Sequence, residues 1–193
     1  MIEEAKRSIQ LNNAKKEIIE WALAILVGIV IVLIIRSFIA TNYEVVGKSM
    51  MPTLHDQDKV FVNKLAKIDR MDIIIFHGDQ NEDYVKRVIG VPGDTIKYEN
   101  DTLYINNKKV PEKFLNSYSA YVHPEENFTE DFNLLELTGN KTVPPNMLFV
   151  LGDNRISSLD SRYFHFIDEK DVIGKVEARY WPISSISVNF DTE

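Results

Sequence analysis

Gly47-Lys48-Ser49-Met50-Met51-Pro52-Thr53-Leu54 carries one serine between a glycine and a proline, just after a long apolar run and ahead of a series of short β-like segments. Glycine permits backbone torsions that other residues resist, and proline stiffens the chain while biasing the residue before it away from helix. Ser49 therefore reads as a hydroxyl held on a shaped turn. Serines favour turns for their own hydrogen-bonding reasons, so the motif alone is also that of a simple turn former. Two distant features raise Ser49 above that reading: a lysine on an apolar strand and a dense polar cluster near the C-terminus.

Upstream, no residue from Trp21 to Ile35 is charged, and Ile18, Ile19 and Ser37 to Ala40 extend the segment to roughly the 20 residues that a bilayer core requires. Glu20 and Arg36 fall near its ends, where side chains reach the interface. Lys6, Arg7, Lys15 and Lys16 precede it, which by the positive-inside bias places the N-terminus in the cytoplasm. The predicted organisation is a cytoplasmic tail over 1–17, a transmembrane helix over 18–40 and an extracytoplasmic domain over 41–193, in a single-pass protein of the cell membrane. A cleaved secretory signal is the competing reading, but the run is longer than a signal core and Phe38-Ile39-Ala40 lacks the small residue expected three positions before a cut. A buried core helix is disfavoured because nothing polar breaks the run on any face. Ser49 lies 13 residues past Arg36, so even an extended path of about 3.3 Å per residue keeps it within roughly 45 Å of the membrane surface.

The chain has no cysteine, so the outer domain relies on its own core. After Arg36 there are 17 Lys and Arg against 25 Asp and Glu, a net −8 that argues against a nucleic-acid partner. Downstream of Ser49 the pattern is short and β-like. Tyr43-Glu44-Val45-Val46, Lys59 to Asn63, Asp72 to Phe76 and Tyr84 to Ile89 read as strands, the last closed by Pro92-Gly93-Asp94. Thr102 to Ile105 and Lys108 to Val110 form a hairpin across Asn106-Asn107, a pair that tolerates positive φ. Residues 111–141 read as an irregular excursion on the rim of the sheet, with Tyr118, Tyr121, His123, Glu125 and Glu126. Met147 to Leu151 is a central strand delivering Gly152 to Arg162, and Val172 to Trp181 closes the domain. The fold class expected is mainly β, an antiparallel-sheet domain behind one N-terminal helix.

A serine hydroxyl needs a base to take its proton near neutral pH. Histidine is the usual base, yet His55, His77, His123 and His165 form no recognisable set with Ser49 and an acid. Lys86 is the better candidate. Strand alternation puts Tyr84, Lys86 and Val88 on one face and Val85, Arg87 and Ile89 on the other. If the first face points inward, burial disfavours the ammonium and lowers the amine's pKa from about 10.4. The alternative is a solvated edge-strand lysine beside Arg87. A base of this kind needs an orienting partner that is not a carboxylate, for which Ser158 is suited, and Asp160 and Arg162 can instead pair with each other and brace the loop, although taken alone the cluster also reads as a structural turn. The developing oxyanion needs donors, one of which is the Ser49 backbone N–H.

Three stretches in this order carry a resemblance: Gly47 to Leu54, Tyr84-Val85-Lys86-Arg87-Val88-Ile89-Gly90-Val91-Pro92-Gly93-Asp94, and Gly152-Asp153-Asn154-Arg155 continuing through Ser158, Asp160, Ser161 and Arg162. With the apolar run before them, the chain resembles the bacterial type I signal peptidases of the short, single-anchor kind. The resemblance implies a membrane-bound serine endopeptidase that cleaves signal peptides of exported preproteins after small residues, at the lipid bilayer and in proximity to the secretion translocon, with no metal or cofactor. It implies Ser49 as nucleophile, Lys86 as general base, Ser158 as the hydroxyl that positions the lysine, and Asp153, Arg155, Asp160 and Arg162 holding that loop. By analogy Tyr43, Val45 and Val85 line shallow apolar pockets, although the same residues also read as core. Two positions depart from the family pattern. Gly47 stands where some relatives carry a hydroxyl that helps hold the oxyanion, and Phe164-His165 stands in place of an aromatic-glycine pair. The rival readings are a membrane-anchored binding module, an inactive relative, and a self-cleaving Ser/Lys regulator, the last of which would not need the apolar run.

Overall fold

The computed structural model describes residues 2–78, 82–115, 127–188 and 190, and divides into two compact units, Met1–Ala40 and Thr41–Glu193. The first is one helix, α1 (Ile2–Phe38), whose stretch Lys15–Ile34 has a mean hydropathy of 2.6 and is long and apolar enough to cross a membrane.

The second unit is built on two antiparallel sheets. The larger joins β1 (Ala40–Glu44), β2 (Lys59–Asn63), β3 (Ile73–His77), β4 (Asp83–Gly90), β9 (Met147–Leu151), β10 (Ile167–Asp168) and β11 (Val172–Trp181) in the order β1-β2-β11-β3-β4-β9-β10. The smaller joins β5 (Ile96–Glu99), β6 (Thr102–Ile105), β7 (Lys108–Val110) and β8 (Phe132–Asn133) in the order β7-β6-β5-β8. Chain-distant β11 inserts between β2 and β3, so β3 and β4 are interior strands, buried on both faces along most of their length, and β4 carries Lys86 and Arg87 into that interior.

Alternation sorts these side chains into separate cores. Ile73 and Ile75 of β3 join Val45, Met50, Leu54, Val60, Val62 and Val176 on one face. Ile74 and Phe76 join Val88, Leu148, Val150 and Ile167 on the other. A third core, with Ile89, Tyr98, Leu103, Leu134, Phe149 and Leu151, fastens the small sheet to the ends of β4 and β9. Each fully buried aliphatic or phenyl side chain among these contributes about 1.5–3 kcal/mol by leaving water.

Several expectations shift in detail. The strand expected over Tyr43 to Val46 lies at Ala40–Glu44; Val45 is still tied down, its N–H donating to the Asp58 carbonyl at 2.8 Å and its carbonyl accepting from Gln57 N–H at 2.8 Å. The Asn106-Asn107 turn has φ of 52° and 62°, the left-handed pair that matches hairpin twist, and β6 and β7 pair across it. The excursion 111–141 is more regular than its composition suggests. Beyond a single turn at Lys113–Leu115, Phe132 and Asn133 pair with β5, and α2 (Leu134–Thr138) starts at Asn133, whose side chain accepts from the Glu136 N–H. Tyr118, Tyr121, His123, Glu125 and Glu126 lie outside the described residues.

Candidate active site

The serine turn is held from beneath by Met50 and Leu54, both essentially without solvent exposure. Gly47 opens it at φ 90°, a torsion that strains any residue with a Cβ, and its N–H donates to Asp56 Oδ1 at 2.7 Å. The far side is fastened to the polar loop after β9: the Ser49 carbonyl accepts from Asn154 N–H at 3.0 Å, and Asn154 Nδ2 donates to the Lys48 carbonyl at 3.1 Å. Ser49 thus stands half-buried, its own N–H free of any acceptor among the described residues.

Lys86 comes from the middle of β4, flanked by β3 and β9, so it is not an edge-strand lysine. It is 4% exposed, and its Nζ lies 2.8 Å from Ser49 Oγ. Burial pushes the amine down to about 8, with the charges of Asp160 and Asp153 pulling the other way. The Tyr84 ring lies 5.7 Å from Nζ. Arg87, expected merely to share a face with Val85, is itself fully buried: Nε and Nη2 grip the two Asp153 oxygens at 2.9 and 2.8 Å, and Nη1 donates to the Met71 carbonyl at 2.8 Å.

The loop Gly152 to Arg162 packs over this pair. Its Asp153 also accepts from Thr53 Oγ1 at 2.5 Å, so one carboxylate ties the turn of Ser49 to the strand of Lys86. Asp160 accepts from Gly152 N–H at 3.0 Å and from Arg162 Nε and Nη2, each at 2.9 Å, capping α3 (Ser161–Phe164). Arg162 Nη2 returns to the Arg155 carbonyl at 2.7 Å. Arg155 turns away from Ser49 into a buried cluster, donating to Gly152 O at 3.0 Å, to Tyr98 Oη and to Glu112 Oε1 at 2.5 Å. Ser158 is buried, and its Oγ has no hydrogen-bond partner among the described residues, Lys86 included. Gly152 makes this packing possible, because a Cβ there would overlap Ser158 Oγ and meet the Ser49 carbonyl at 2.5 Å.

Beside Ser49 and Lys86, Tyr43, Val45, Val85 and Asp83 line a cavity of about 270 Å³. Tyr43 and Val85 also pack against the core that contains Val45. Burial and the neighbouring Asp83 carboxylate hold the Tyr43 phenol above its ordinary pKa. None of the described histidines bonds to Ser49: His55 donates its backbone N–H to Asp58, His77 Nδ1 sits 2.7 Å from Asp83 Oδ1, and His165 closes α3. His123 lies outside the described residues. Reading the sequence missed Thr53, Arg87 and Glu112. The first two adjoin motif residues, a usable signal, whereas nothing local marks Glu112. Among the described residues there is no cluster of His, Cys, Asp and Glu able to hold a metal ion.

Residues 18–181 match the family model described as signal peptidase, peptidase S26. The chain belongs to that family. Signal peptidase I of Bacillus caldolyticus is 49% identical to this peptidase over 168 residues, covering 85% of the chain and 92% of the relative. Signal peptidase IB of Staphylococcus aureus (strain COL) is 44% identical over 187 residues, covering 93% and 97%. A crystal structure of a signal peptidase I from Enterococcus faecalis V583 superposes with a TM-score of 0.55 at 47% identity, over 57% of this chain and 97% of that one. The departure at His165 has a structural counterpart in this peptidase. The residue takes φ 68° and ψ −79°, and Phe166 N–H donates to the Phe164 carbonyl at 3.0 Å, a tight γ-turn that glycine would adopt with less strain.

Proposed function

We propose that the peptidase is anchored in the membrane by its N-terminal helix and removes signal peptides from exported preproteins after small residues, with Ser49 as nucleophile and Lys86 as general base. The observation that carries this is the 2.8 Å approach of Lys86 Nζ to Ser49 Oγ in a buried setting that brings the amine to about 8. At pH 8 half of such an amine is neutral, against about 0.4% for a lysine of ordinary pKa. The neutral amine accepts the Ser49 proton as Oγ attacks the scissile carbonyl. The resulting ammonium gives the proton to the departing amine, and a second cycle activates water against the acyl-enzyme. The free Ser49 N–H is the protein's donor to the oxyanion, and Gly47 supplies no side-chain hydroxyl beside it. Ser158, buried with its Oγ unpartnered among the described residues, is the neutral hydroxyl available to orient the amine when the site engages substrate, while Asp153, Arg155, Asp160 and Arg162 hold its loop.

Tyr43, Val45 and Val85 line the cavity beside Ser49 and are the apolar residues that would meet the small side chains preceding the scissile bond. Lys6, Arg7, Lys15 and Lys16 favour a cytoplasmic N-terminus, leaving residues 41–193 outside, where preproteins emerge beside the secretion translocon. The test is cleavage of one membrane-inserted preprotein by the full chain in vesicles. Turnover should rise with pH through about 8 and vanish in Ser49→Ala and Lys86→Ala variants that keep the wild-type circular dichroism. Persistence of cleavage in Lys86→Ala, with loss on changing a histidine, would overturn the assignment of the base.

A further inference from the structure

The residues next to the dyad are gripped by a part of the chain to which the three sequence motifs assign no role. Glu112 lies between β7 and the single turn Lys113–Leu115, and Phe114 lies within that turn. Glu112 Oε1 accepts from Arg155 Nη2 at 2.5 Å, and the Glu112 side chain is 7% exposed. Arg155 also donates to Tyr98 Oη of β5, to Thr129 Oγ1 at 3.3 Å and to the carbonyl of Gly152, the glycine on which Ser158 and the Ser49 carbonyl are packed. Phe114, 3% exposed, has its ring centre 3.7 Å from the Arg87 guanidinium carbon, and Arg87 directly follows Lys86. The same ring lies 6.0 Å from the Arg155 guanidinium. Two residues with a single residue between them in sequence therefore touch both halves of the apparatus: Phe114 the strand of the base, Glu112 the loop that covers it.

We propose that Glu112 and Phe114 are positioning residues that hold the loop Gly152 to Arg162 and the strand of Lys86 in register, keeping the amine dry and in reach of Ser49. A buried guanidinium held by a carboxylate on one side and an aromatic face on the other has a single geometry, and Arg155 transmits that geometry to Gly152. Neither residue touches substrate or reacting atoms. The proposal rests on the Ser49/Lys86 reading.

The experiment measures kcat, KM and the acid limb of kcat/KM for the full chain in vesicles, with thermal melting in parallel. Glu112→Ala frees Arg155. It should lower kcat on the order of 10- to 100-fold with little change in KM, and water reaching Lys86 should move the acid limb upward by roughly one pH unit. Glu112→Gln keeps an oxygen acceptor for Arg155 Nη2, so the acid limb should stay in place even where melting falls. Phe114→Leu, which preserves apolar burial, should repeat the alanine effect in weaker form. The proposal is overturned if the variants melt lower yet keep the wild-type kcat and limb, or if the limb moves downward, since that would show the Glu112 charge acting through space. Wild-type cleavage that survives Ser49→Ala would instead sink the underlying reading and leave the packing relation standing.

Discussion

Replacing Lys86 with methionine should make the folded domain more stable while abolishing cleavage, and the gain should depend on pH in a way only a buried titrating amine produces. Lys86 is 4% exposed and its pKa is lowered to about 8, against about 10.4 in the unfolded chain. Because the folded value is depressed, the unfolded chain binds more protons between the two values, and stability rises with pH across that window. Below about pH 8 the protonated amine is carried into the fold at a penalty of about 3 kcal/mol, since each pH unit separating the folded and unfolded values is worth roughly 1.4 kcal/mol. At pH 9 the penalty is about 2 kcal/mol, and by pH 10 about 1 kcal/mol. Methionine fills a similar volume without charge, so Lys86→Met removes these amounts and loses one hydrogen bond to Ser49, about 1 kcal/mol. Thermal melting at pH 7 should therefore rise by several degrees, and denaturant titration at pH 7 and 9 should show a gain about 1 kcal/mol smaller at the higher pH. A gain that does not vary with pH, or a loss of stability at both, would refute the claim that desolvation of this amine dominates its behaviour.

Three further outcomes follow from the same geometry. Gly152→Ala forces a Cβ to within 2.5 Å of the Ser49 carbonyl, so the turn must retreat by nearly an ångström, and kcat should fall on the order of 100-fold; turnover within twofold of wild type would show the contact to be soft. Arg162→Ala strips Asp160 of its guanidinium, and the exposed carboxylate should raise the acid limb of kcat/KM above about pH 8, readable in a pH–rate profile. His165→Gly relieves the positive-φ turn and should raise the melting temperature by about 2–4 °C, equivalent to about 1 kcal/mol, with kcat unchanged; a lowered melting temperature would show that the imidazole has a role of its own.

The strands were legible where period and punctuation agreed. Val172–Trp181 and Met147–Leu151 lie at the residues expected, and the two asparagines marked the hairpin because only a few residue types accept their torsions. Ile96-Lys97-Tyr98-Glu99 alternates as cleanly, with burial to match, and is a strand that the reading of the sequence leaves unassigned between Pro92-Gly93-Asp94 and the hairpin. The two-residue strands β8 and β10 have no sequence signal of their own, being defined by their partners in β5 and β9. The buried state of Arg87 was hidden for another reason: an arginine beside a lysine looks like solvated surface until Asp153, 66 residues away, is placed against it. Lys86 was readable because the residues that share its strand face are Tyr84 and Val88, an aromatic and an aliphatic side chain. The missing part was how a lysine among acids loses its proton.

That last question has an electrostatic answer in the pairing of the carboxylates. Two acids pull Lys86 toward its charged form, Asp160 and Asp153. An unpaired carboxylate about 6 Å from an ammonium, at an effective dielectric constant near 20, favours the charged amine by about 3 kcal/mol, or about two pH units. One such group would cancel most of the lowering that burial supplies. In this fold neither acid is unpaired: Asp153 is gripped through both oxygens by Arg87, and Asp160 by Arg162. Each pair presents a dipole instead of a net charge, and its field at Lys86 falls away faster than that of a lone acid. The arginines of the motifs thus have a chemical reason to be where they are beyond bracing a loop, because they let two structural carboxylates stand beside a lysine whose use depends on its being neutral.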